Sequence, residues 1–310
     1  MTRPTTRRDV LSLAASLPLA ALAPAAKLVP SAFAQDSMPT RPIPSTGEAL
    51  PVIGLGSSKV VQEIAANGED PVRRVLETLV AHGGKLVDTW PRNDDNDAGF
   101  GRVINSPALR DRLFVTSKID QIGRQAGIDQ FQRTQRNYGR ETLDLVQIFS
   151  LTDLDVHWPS LREWKDAGAA RYIGVTVAEA ELYPQLEAFL GREQPDFVQV
   201  NYSITERESE QRLLPMAADR GIAVLINRPF MNGTYFRRLE NEPLPEWTAE
   251  FGCTTWAQFS LKYILANQNV TCVLTETSDP EHMAENAETA FGPLPDDGAL
   301  ARMRELIDGV

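Results

Sequence analysis

Short apolar runs rich in β-branched and aromatic residues recur along the chain at 52–55, 86–88, 113–117, 143–148, 172–176, 197–201, 223–226 and 270–274. Runs this short, set between turn-forming residues, predict eight buried strands. Between them the apolar spacing changes to three and four. After Asp70, read as an N-cap, and Pro71, read as the first helical residue, Val72, Val75, Leu76, Leu79 and Val80 share one face. Similar stretches at 130–138, 160–167, 179–190, 208–220, 255–267 and 280–289 predict further helices, and the acidic run after Asp88 starts another. Strands alternating with helices satisfy the right-handed crossover rule most simply as a closed (β/α)8 barrel, an α/β TIM barrel in one domain. A doubly wound open sheet would start on a glycine-rich phosphate turn. Gly54-Leu55-Gly56-Ser57-Ser58-Lys59 lacks the third glycine, so Gly54 and Gly56 read as permissive strand-end residues.

The first 34 residues do not fit this alternation. Thr-Thr-Arg-Arg-Asp-Val at 5–10, an apolar run at 11–26 and Ala32-Phe33-Ala34 before Gln35 make a twin-arginine export signal. Pro18, Pro24 and Lys27 break the run short of the roughly 20 residues that a spanning helix needs. The expected organisation is a signal peptide at 1–34, a linker at 35–42 with a proline-rich tether at 39–44, and a barrel at 43–310. The expected location is periplasmic or secreted, with no membrane segment after cleavage. The signal holds four cations (Arg3, Arg7, Arg8, Lys27) and one anion (Asp9), so its removal moves the formal charge from -11 to -14. So acidic a domain is a poor match for phosphate backbones, and no nucleic-acid partner is expected. Cys253 and Cys272 are too few for a disulfide framework and read as two separately buried thiols; no metal site is predicted.

Chemistry on such a barrel sits at the C-terminal ends of the strands, which puts Asp88 first. The stretch from Leu86 to Gly101, LVDTWPRNDDNDAGFG, resembles the second strand and helix of the aldo-keto reductase family. The resemblance extends over nearly the whole mature chain: a bottom hairpin at 43–50, VIGLGSS as the first strand, LFVTSK ending at Lys118, LDLVQI, ARYIGVT, PDFVQVNYS, and PEHMAEN near the C-terminus. It implies an NADP-dependent oxidoreductase domain that passes hydride from a nicotinamide to a carbonyl, with an Asp, Lys, Tyr and His supplying the proton. Asp88 and Lys118 stand at the first two positions. The Tyr position is Asn93 and the His position is Phe149. Neither an amide nor a phenyl ring donates a proton near neutral pH. Tyr138 ends a predicted helix, and His157-Trp158-Pro159 reads as a helix start with Pro159 in its first turn. Asp88 and Lys118 fit a neutralising ion pair as well as a functional one.

For the cofactor, the resemblance implies that Gln199 meets the nicotinamide amide and that Glu285 and Asn286 hold the adenine. A stacking Tyr is replaced by Asn227, followed by Arg228, Pro229 and Phe230. Glu276, with Ser278 beyond it, stands where the family grips a 2′-phosphate, and His282 stands at its Arg. Like charges at about 4 Å repel by on the order of 1 to 4 kcal/mol, so NADPH is disfavoured and NADH is less excluded. The leading expectation is an exported barrel without the family's acid catalysis, binding a small molecule in a cleft walled by Trp90, Phe149 and Phe230. The alternatives are an active NAD(P)H-dependent aldehyde or ketone reductase, with Lys118 or a water on Asn93 as proton source, and a protein-docking scaffold.

Overall fold

Along the strands of this protein, residues alternate between a small apolar cluster and a much larger one. The computed structural model describes residues 37–56 and 58–310. A hairpin of β1 (Thr40–Pro42) and β2 (Ala49–Pro51) precedes eight parallel strands: β3 (Ile53–Gly56), β4 (Leu86–Asp88), β5 (Phe114–Ile119), β6 (Leu143–Phe149), β7 (Ala170–Val177), β8 (Phe197–Asn201), β9 (Ala223–Asn227) and β10 (Cys272–Thr275). Each strand pairs with the next in sequence, and β10 pairs with β3 to close the barrel.

The small cluster joins Leu86, Phe114, Leu145, Tyr172, Phe197, Leu225 and Cys272, one from nearly every strand, with Ile43 and Leu50 of the hairpin segment. These fill the barrel interior, and the hairpin plugs its base. Their neighbours Val87, Val115, Val146, Ile173, Val198, Val224 and Val273 belong to the larger cluster, where the barrel wall meets the helices. Strand side chains alternate faces. Two residues beyond the interior layer, the same inward positions are therefore Asp88, Thr116, Gln147, Gln199 and Asn227, and the apolar filling gives way to a polar layer at the mouth.

The eight strands stand where the sequence places them, with ends shifted by up to two residues. Several other expectations are corrected. Gly54 is more than permissive: a Cβ there would lie 2.9 Å from Leu86 O and 3.2 Å from Cys272 Sγ, so the interior filling requires its absence. Thr40–Pro42 of the expected tether are a paired strand, and Ser37–Val310 form one compact unit. Glu69, not Asp70, precedes the helix Asp70–Ala81. The helix predicted at 160–167 spans Leu154–Asp166, which puts Pro159 inside it rather than in the first turn. The segment predicted at 208–220 is two helices, Glu208–Gln211 and Leu213–Asp219, and the C-terminal helix Asp297–Asp308 was not anticipated. The signal at 1–34 and the start of the linker lie outside the described residues. Among the described residues no helix is long and apolar enough to cross a membrane, no cluster of metal-ligating side chains occurs, and both cysteines are buried and free.

Candidate active site

Asp88 ends β4 with 6% of its surface exposed. Its carboxylate accepts from Thr116 Oγ1 at 2.5 Å, Lys118 Nζ at 2.6 Å, Gln199 Nε2 at 3.2 Å and Gln147 Nε2 at 3.4 Å. Lys118, 5% exposed, also donates to Thr89 O at 3.3 Å. A desolvated ion pair is sustained only when further hydrogen bonds satisfy it, and three neutral donors do so here. Gln147 Nε2 also donates to Gln199 Oε1 at 2.9 Å, so the Gln199 amide is engaged at both ends.

Above this floor opens a cavity of about 620 Å³. Its floor and sides include Asp88, Lys118, Thr176, Gln199, Asn227 and Arg228, and its walls include Trp90, Phe149, Phe230 and Phe236. The Trp90 and Phe149 rings stack at 4.3 Å between centroids and 24°, and the Arg92 guanidinium lies 4.1 Å over the indole. Trp90 Nε1 donates to Asp120 Oδ2 at 2.8 Å, while Asp120 Oδ1 accepts from Gln121 and Gln130, each at 2.7 Å. The indole plane is thereby fixed. Asn227 Oδ1 and Arg228 Nε are buried with no hydrogen-bond partner in the protein. Among the described residues, the non-glycine residues with positive φ, Ser150, Leu151, Asp153, Arg228, Met231 and Asn232, fall in the loops after β6 and β9, at this mouth. Backbone strain of this kind gathers at functional sites.

Of the predicted site residues, Asp88, Lys118, Phe149, Gln199, Asn227, Arg228, Glu276 and Ser278 line the cavity together. Asn93 does not. It is the N-cap of the helix Asp94–Ile104, with extended backbone and its side chain accepting from Asn96 N at 3.0 Å, so the expected place beside the reacting carbonyl is corrected. His282 is exposed and 4.0 Å from Asp279, Glu285 accepts from Thr255 Oγ1, and Asn286 is buried; none of the three lines the cavity. Glu276 accepts from Lys59 N at 3.0 Å, tying the β10 loop to the β3 loop. The sequence reading missed Thr116, Gln147, Arg92 and Asp120.

Among the described residues no tyrosine or histidine lines the cavity. Tyr138 is fully buried behind the wall, packed on Phe100 near Thr89 and Ser117, and burial pushes its phenol above the ordinary value. His157 is buried, and its Nε2 donates to Gln121 O, 2.6 Å away in the loop after β5.

The rim is held by a second carboxylate. Asp97, 1% exposed, accepts the Arg92 N–H with both oxygens at 3.1 Å, and burial pushes its carboxyl up from 3.8 to about 6. The folded state thus holds this proton more tightly than the unfolded chain. Asp97 contributes stability that is full below pH 3.8 and lost as pH rises to about 6. Asp97→Asn keeps an acceptor for Arg92 N and removes the charge. Its stability relative to the unsubstituted protein should rise across that window in urea titrations at several pH values, and a flat difference would contradict the assignment.

A (β/α)8 barrel with a charged, aromatic-walled mouth at the C-terminal strand ends is an enzyme-type architecture. The chain belongs to the aldo/keto reductase family, whose profile matches residues 52–308. It is 25% identical over 330 residues to the NADH-specific methylglyoxal reductase of Escherichia coli (strain K12), covering 87% of this chain and 98% of that protein. Its fold matches an aldo-keto reductase from Klebsiella pneumoniae in complex with NADPH, with a TM-score of 0.74 and 21% identity, over 87% of this chain and 95% of the other. It also matches the holo form of an aldo-keto reductase from Bacillus halodurans, with a TM-score of 0.71 and 18% identity, over 87% and 96%.

Proposed function

We propose that this protein binds a small molecule with a polar end and a flat or apolar body at the barrel mouth, without the phenol-to-carbonyl proton transfer of its family. The reading is supported by the Trp90–Phe149 stack on the cavity wall, by the lack of any tyrosine or histidine on that wall among the described residues, and by Asn93 capping its own helix. The polar end meets Asn227 Oδ1 and Arg228 Nε, the two buried atoms that want partners. The residues do not fit a 2′-phosphorylated dinucleotide: Glu276 puts a carboxylate in the cavity, and His282 is exposed and does not line it. Export by the twin-arginine route to the periplasm or beyond belongs to the same proposal. It rests on the paired arginines and the Ala-x-Ala motif, and it fits a protein that works without a cytoplasmic nicotinamide pool.

The second reading is an NADH-dependent carbonyl reductase. It is favoured by the name of the Escherichia coli relative, which matches over almost its full length. One titration separates the two. With nicotinamide fluorescence followed on addition of NADH or NADPH to protein lacking residues 1–34, the first reading expects no saturable binding below millimolar. Micromolar binding with aldehyde-dependent oxidation would establish the second.

A further inference from the structure

We propose that Lys118 is a nucleophile that captures aldehydes and ketones in the cleft as a protonated imine. This rests on the ligand-binding reading above and names the chemical class of the ligand. Lys118 is a primary amine at the bottom of a cavity of about 620 Å³, under Trp90 and Phe149, at a depth where most of its side chain is out of water. The Asp88 carboxylate, 2.6 Å from Nζ, is the acceptor nearest the ammonium and the group through which its protons can be relayed.

The step balances. The ammonium gives one proton to Asp88, the C–N bond forms as the carbonyl π bond breaks, and a second nitrogen proton passes to the carbinolamine oxygen with the help of Asp88. That oxygen leaves as water with both protons. The product, R–NH⁺=CR′₂, keeps one N–H and the single positive charge of the starting ammonium. The ion pair with Asp88 therefore survives the reaction, and its cost of burial is not incurred again. Thr116, Gln147 and Gln199 hold the carboxylate in place throughout.

The test is reductive trapping. The folded protein is treated with substoichiometric propanal or benzaldehyde and sodium cyanoborohydride, and the modified lysines are mapped by peptide mass spectrometry. Lys118 should be alkylated ahead of the more exposed Lys59, Lys85 and Lys165, with Lys262, buried on backbone carbonyls of 291 and 293, unmodified. In Lys118→Arg, which keeps the cation and loses the primary amine, total labelling at low aldehyde should fall several-fold while the circular dichroism spectrum is retained. Labelling in order of exposure, with Lys118 untouched, would overturn the proposal. Quenching of tryptophan fluorescence by the same aldehydes without trapping would overturn it too, while leaving the ligand-binding reading intact; absence of both would sink the two together.

Discussion

Asp88→Ala is expected to destabilise the barrel by about 3 to 5 kcal/mol, the cost of leaving one member of a buried ion pair without its partner. The side chain removed accepts from four donors, and its loss leaves the Lys118 ammonium, 5% exposed, with only Thr89 O at 3.3 Å. Two carboxamides and a hydroxyl lose an acceptor as well, and unsatisfied buried donors cost about 1 to 3 kcal/mol each before relaxation. The reverse deletion should be milder. Lys118→Met leaves Asp88 with Thr116, Gln147 and Gln199 still donating, so the charge is stranded but not bare. Urea denaturation at pH 7 reads both. A loss below about 1 kcal/mol for Asp88→Ala would show that water reaches the ammonium and that the pair is not the closed floor described above.

Gly101→Ala should cost about 3 kcal/mol or more. A Cβ at this position would lie 2.0 Å from Asn137 O and 2.9 Å from Tyr138 Cα, both backbone atoms at the end of the helix Arg124–Tyr138. Overpacking typically costs about 1 to 3 kcal/mol where side chains can yield; here one helix must move away from another. The helix displaced is the one that Asn93 caps and that holds Asp97 against Arg92, so the cavity rim should loosen with it. Gly191→Ala, where no atom lies within 4 Å, is the control and should be neutral or gain up to about 1 kcal/mol from helix propensity. Equal melting temperatures for the two variants would contradict this packing.

The barrel was legible because its strands announce themselves locally, as buried β-branched runs; Asp88 followed from the rule that strand ends carry chemistry, and Lys118 from the family resemblance of LFVTSK. Thr116 and Gln147 were equally accessible: they lie two residues before Lys118 and Phe149, and period-two alternation alone sends all four to the mouth. Asn93 was misplaced because counting five residues from Asp88 fixes a position in sequence and not a direction in space. An Asn directly before an acidic helix start is a capping signal, and capping turns the side chain onto its own helix. The Arg92–Trp90–Phe149 stack and its anchor Asp120 join three different strand ends, and no local pattern encodes that meeting. Helix starts suffered most. Leu154 and Trp158 are in phase with Leu161, but Pro159 reads as a helix start, so the Leu154–Asp166 helix was placed only from its later turns.

With Ile43 and Leu50 stoppering the base, the barrel is a cup rather than a tube. Whatever occupies it must depart through the opening by which it arrived, so residence time is governed by the rim loops alone. A macromolecule seated across that rim would imprison the occupant without touching it.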